Sequence, residues 1–222
     1  MMISKSYAIF KKDFYSELRT RYAINSLAMF IVVAISVILF AVGQEKISAG
    51  LTGGLFWVVI FFTAMSGLSR AFVSEEERGT YLTLQLVAAP STVFSGKLIF
   101  NVLLVFCMNS IIAILYAALF ESFIIQNLAL FLLTFAIGNI GLAISSTIIA
   151  AIIAKAGAKG TLYPVLSFPI LLPLILTSVQ LTLFALDGTS IEEAKFELAI
   201  VVSYDVIMLT VSYMLFDFIW KD

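Results

Sequence analysis

The sequence predicts an all-α membrane protein with six transmembrane helices, and three observations carry that prediction. Hydrophobic residues make up 62% of the 222 and charged residues 12%, whereas a soluble domain has about 45–50% apolar and about 25% charged residues. The charges leave six long apolar stretches between them: Tyr22 to Gln44, Ile47 to Ser69, Leu98 to Phe120, Ser122 to Ala154, Gly160 to Leu186, and Leu198 to Phe216 with Asp205 inside it. About 20 apolar residues cross a bilayer as a helix. With the N-terminus inside, eleven of the 13 Lys and Arg residues fall in inside segments, and only Lys46 and Lys195 fall outside. Positive residues stay on the cytoplasmic side, so both termini are expected there.

The N-terminal segment is expected to be an amphipathic elbow helix on the cytoplasmic face of the membrane. Tyr7, Phe10, Phe14 and Leu18 recur at helical spacing, while Lys11, Lys12, Arg19 and Arg21 lie elsewhere around the helix. It serves either as a topology anchor or as a contact for a cytoplasmic partner. The spans follow at 23–43, 50–69, 98–120, 128–153, 161–185 and 198–218, within one membrane domain covering 1–222. Ala41-Val42-Gly43 has the small-x-small pattern of a signal cleavage site. The apolar run before it exceeds the about 7–15 residues of a signal peptide, so the first span is expected to remain. The fourth stretch is the longest, but two spans need about 40 residues. Splitting it would also place Lys155 and Lys159 outside, so Ser122, Gln126 and Asn127 are read as a polar lead-in to one helix.

Composition excludes several functions. With 13 basic against 14 acidic residues and no basic run, the chain lacks a phosphate-neutralising surface for nucleic acid. No His and a single Cys remove the commonest metal ligand, the commonest general base and any intrachain disulfide. No catalytic residue and no metal site are assigned, and Cys107 is read as a small apolar residue. The phosphate-binding pattern G-x-x-x-x-G-K-[ST] is absent, so any ATP is bound by another chain.

Loop 70–97 is the most informative segment. Ser74 and Glu77 have capping-box spacing, Gly79 breaks the chain, and Thr80 is placed to cap a short helix through Leu82, Leu84, Leu86 and Val87. Pro90 is expected to stop that helix and Ser91 to cap the third span, which Lys97 opens. Taken one by one, these residues fit a solvated acidic loop equally well.

Within the spans, Gly138, Gly141, Ala143, Ser145, Ser146, Ala150, Ala151 and Ala154 give the fourth helix a small surface suited to close packing. Pro169 and Pro173 each remove a backbone donor, so the fifth helix is expected to kink or break. Asp205, the one charge inside the six long stretches, is expected to face the bundle, with Tyr204, Ser203, Asn109 or Asn139 as polar partners. It is read as a satisfied structural acid or, alternatively, as a proton relay. The outer loop from Asp187 to Glu197 is a solvated segment or a docking edge, with Ser190 and Glu193 at capping spacing.

The order of features in Glu75-Glu76-Glu77-Arg78-Gly79-Thr80, then Leu84, Pro90 and Lys97, resembles the coupling loop of type-2 ABC transporter permeases. Pro164, Pro169 and Pro173, together with Gly138-Asn-Ile-Gly141 and Ala156-Gly157-Ala-Lys159-Gly160, are similar to the corresponding parts of the heme exporter protein B (CcmB) family. The resemblance implies a non-catalytic permease in the bacterial inner membrane, present in two copies and powered by a CcmA-like ATPase. It also implies CcmC- and CcmD-like membrane partners, release of the heme-loaded chaperone CcmE, and heme handled by those partners. Missing His agrees with that division, because His is a common heme ligand. The remaining alternatives are a type-2 exporter permease for lipid, polysaccharide or drug, and an ion-coupled carrier using Asp205.

Overall fold

The computed structural model describes residues 2–43, 47–69, 71–73, 75, 79–155 and 163–221. These residues form eight helices and no strand: α1 (Met2–Thr20), α2 (Tyr22–Val42), α3 (Ala49–Leu68), α4 (Tyr81–Val87), α5 (Pro90–Leu119), α6 (Leu128–Lys155), α7 (Tyr163–Asp187) and α8 (Lys195–Lys221). Six of them, all but α1 and α4, are long and apolar enough to cross a membrane. The long fourth stretch is a single helix, with Asn127 Oδ1 accepting from the Leu130 amide at its start.

The packing order follows side-chain size. Helix α6 is the hub, touching α3, α5, α7 and α8, and its most apolar window is 61% buried against 17% for α2. Its small residues permit this close approach. A Cβ on Gly138 would run into the ring of Trp57 from α3, and that ring is fixed by a 2.8 Å bond from Nε1 to Thr182 Oγ1 of α7. Interhelical bonds of neutral groups complete the interior: Asn101 donates to Thr147 Oγ1 at 2.8 Å and Tyr163 to the Ser146 carbonyl at 2.9 Å.

Helix α1 lies along α5. Its inward side is Ser6 and Ile9, both buried, whereas Tyr7 and Leu18 stay exposed. Of the stripe foreseen from spacing, Tyr7 and Leu18 face outward, available to the membrane surface, while Phe10 and Phe14 are half-buried.

Three local expectations need correction. The third span starts at Pro90, eight residues before Leu98, because Pro fits the first helical position and Ala89 before it is extended at ψ 150°. Pro90 therefore opens α5, and Ser91 does not cap it, the capping position being Ala89 with no side-chain bond. Helix α7 is continuous through Pro169 and Pro173 and is not broken. Both prolines lie on its exposed side, while Leu171, Leu174 and Leu181 hold the opposite side against the core. Pro164 lies in its first turn, where a missing N–H costs least.

Candidate functional site

The loop after α3 folds back on itself. The Glu75 amide bonds the Phe72 carbonyl at 3.0 Å and the Thr80 amide bonds the Glu75 carbonyl at 2.9 Å. Gly79 closes this turn at φ +66°, a left-handed conformation that side-chain-bearing residues resist. The turn directs the Glu75 carboxylate inward, towards two lysines from other elements.

Lys97, two turns into α5, donates to Asp13 Oδ2 of α1 at 3.1 Å, to the Ala71 carbonyl at 2.8 Å and to Glu75 Oε1 at 3.0 Å. All three ammonium protons therefore have acceptors. Lys12 of α1 also bonds Glu75 Oε1, and Thr80 donates to Oε2 at 2.5 Å. The side chains of Lys97, Glu75 and Asp13 are only 3%, 6% and 13% exposed. Two acids and two lysines thus balance within one junction that joins elbow helix, loop and third span. Burial pushes the Glu75 carboxyl up, but the Lys97 charge and the bonds from Lys12 and Thr80 outweigh it and hold it at about 2. Close approach of α1 depends on Gly96, where a Cβ would come within 2.8 Å of the Ser6 carbonyl, and Ser6 Oγ bonds the Thr92 carbonyl at 3.2 Å.

Thr80 does not cap α4 through its side chain. Its hydroxyl returns to Glu75 instead, because a charged acceptor competes successfully with a helix amide. Helix α4 is seated on both ends of the chain: Lys5 donates to the Val87 carbonyl at 3.2 Å, Gln85 to the Trp220 carbonyl at 2.5 Å, and the Tyr81 and Trp220 rings lie 4.5 Å apart. Leu84 turns towards the core. Leu82, Leu86 and Val87 are 68%, 89% and 64% exposed, an apolar face that none of the described residues covers.

The remaining residues singled out from sequence are spread elsewhere. Ser74, Glu76, Glu77 and Arg78 lie outside the described residues, as do Ala156, Gly157, Lys159 and Gly160. Asn109 donates to Asn139 Oδ1, so these two are joined to each other rather than to Asp205. Asp205 is buried on α8, ten residues after Lys195. It sits against α6, where a Cβ on Gly141 would collide with its Oδ1. Tyr204 spends its hydroxyl on Ser145 and the Ile170 carbonyl. At the opposite end of the bundle, Ser190 Oγ accepts from the Glu193 amide at 3.3 Å, the capping contact its spacing suggested. Sequence reasoning missed Asp13 and the inward role of Lys97. The available signal was a lone lysine in a run otherwise free of charge.

No curated protein matches the chain at a significant level. A family model described as "CcmB protein" matches residues 4–217, nearly all of the 222. That match takes in loop 70–97 and reaches into all six long helices, which identifies a multi-pass membrane permease subunit with a heme-export role in cytochrome c maturation and an ATPase partner. The chain belongs to the CcmB family.

Proposed function

We propose that this chain is the mechanical transmitter of a cytochrome c maturation complex in the bacterial cytoplasmic membrane. Two copies receive ATP-driven motion from a CcmA-like ATPase through loop 70–97, including Glu75, Glu76, Glu77, Arg78, Gly79, Thr80, Leu84 and Pro90. With CcmC- and CcmD-like proteins, that motion serves release of heme-loaded CcmE. ATP stays on the ATPase, and heme is cargo of the partners, since this chain has no His to ligate it.

The observation that supports this reading is the Asp13–Lys97–Glu75–Lys12 junction, buried except at Lys12, beside the exposed apolar face of α4. A short helix passes on a push only if it cannot slip relative to the spans it serves. Here the same loop is tied to α1 and α5 by charge, and to Trp220 of α8 by a backbone-directed bond. Displacement of the outward Leu82, Leu86 and Val87 face would therefore reach three helices together.

The test is to purify the tagged chain from its native membrane and identify what accompanies it. A CcmA-like ATPase together with a CcmC-like protein is expected. Recovery of an ATPase without any CcmC-like protein would favour an exporter of other cargo, and recovery of neither would contradict the reading.

A further inference from the structure

Between α2, α3 and α5, well inside the spans, lies a cavity of about 10 Å³ bordered by Leu27, Thr63, Ala64, Gly67, Met108 and Asn109. A space of about 10–15 Å³ accommodates one water molecule. Two of the residues that border this cavity carry a buried side-chain oxygen with no hydrogen-bond partner, Thr63 Oγ1 of α3 and Asn109 Oδ1 of α5. Their residues are 1% and 0% exposed. In a lipid environment an unsatisfied polar group of this kind is costly, because no solvent can supply the missing partner.

Thr63 is one of several buried helix hydroxyls without a hydrogen-bond partner, with Thr134, Ser146, Ser178 and Ser212. Thr147, Thr177, Thr182 and Thr210 each bond the carbonyl four residues earlier, whereas the Thr63 hydroxyl has no partner. Asn109 donates one amide proton to Asn139 Oδ1. Asn139 in turn donates to the Phe135 carbonyl at 2.6 Å. The Asn109 carbonyl is therefore the open end of a hydrogen-bond chain that already crosses from α5 to α6.

We infer that one ordered water molecule binds in this cavity, donating to Asn109 Oδ1 and accepting from the Thr63 hydroxyl. It extends the chain from α6 through α5 to α3. The helices on either side of the coupling loop, α3 before it and α5 after it, thus share a hydrated contact in an otherwise apolar interface. A water bridge can be remade after a small relative shift, whereas interlocked apolar side chains must first separate.

X-ray radiolysis of the intact complex tests this, because a bound water struck by the beam yields hydroxyl radical that modifies the side chains next to it. Met108 lines the cavity and is 7% exposed, while Met65 is 3% exposed and does not line it. In ¹⁸O-labelled water, Met108 is expected to take up label and Met65 to remain unmodified. Thr63→Val preserves shape while removing the hydroxyl, and it should lower Met108 labelling at least about fivefold. Absence of label on Met108 overturns the proposal, and so does labelling that Thr63→Val leaves unchanged. A high-resolution map provides a second readout: density within hydrogen-bond distance of Thr63 Oγ1 and Asn109 Oδ1 supports the site, and a Thr63 hydroxyl bonded to the Val59 carbonyl with no such density refutes it.

Discussion

The interior around α6 and the junction beneath loop 70–97 are held together by different physics. Around α6 the contacts are set by shape: Trp57 fills the space left by Gly138, Asp205 fills that left by Gly141, and the polar bonds join neutral groups. At the junction four charged side chains from α1, the loop and α5 meet within hydrogen-bond reach. Interlocked shape is rigid, because its contacts fade as soon as the surfaces part. Ion pairs reach further and can exchange partners, so the junction can hold the loop while its exact contacts shift. The bundle therefore has a stiff hub and an electrostatically tied lever, and the two should fail in different ways.

The hub should fail outright when its shape changes. Gly138→Val places a branched side chain into the buried Trp57 ring, and overpacking of this kind costs about 1–3 kcal/mol or more. Trp57 is held by Thr182 and cannot move aside without breaking that bond. Membrane levels of the variant and its resistance to protease should fall sharply. Normal levels would show that the hub is softer than its packing implies.

The lever should fail without loss of the fold. Glu75→Gln retains size and hydrogen-bonding capacity but unbalances Lys97 and Lys12, and the penalty depends on pH. The native carboxyl is held at about 2 against an ordinary 4.5. A depressed value contributes stability that is fully present above 4.5 and is lost as pH falls towards about 2. The stability gap between wild type and Glu75→Gln in isolated complexes should stay constant from about pH 8 to 5 and close below 4.5. A gap that opens or closes between about pH 6 and 8 would mean that another group governs the junction.

The two regions also differ in how much of them can be read from sequence. The helices of the hub are written in uncharged length, and the small residues of α6 announce that something packs closely there. Which partner fills each notch is a long-range matter: nothing local links Gly138 to Trp57 or Gly141 to Asp205. For the lever, loop order pointed to Glu75, Gly79, Thr80 and Pro90, and Gly79 does take the positive φ its turn requires. The capping roles given to Thr80 and Ser91 failed because local spacing says nothing of competing acceptors: a buried carboxylate claimed Thr80, and Pro90 moved the helix start. Lys97 looked like an interfacial residue opening a span. Only docking of α1 across Gly96, a contact between distant segments, reveals that it faces Asp13 and Glu75.

The central claim is that the charge tie between Lys97, Asp13 and Glu75 couples the loop to the spans, and Lys97→Met tests it most directly. Met preserves the apolar stem and removes the charge, leaving Asp13 and Glu75 facing only the more exposed Lys12. Removing one partner of a buried pair costs about 3–5 kcal/mol. Maturation of c-type cytochromes should be measured in cells alongside membrane level, ATPase retention and ATP turnover of the isolated complex. The account predicts a chain that inserts at near-normal level, an ATPase that is weakly held or turns over without coupling, and maturation lost by at least about tenfold, with Lys97→Arg restoring part of it. Normal maturation by Lys97→Met at normal membrane level would contradict it.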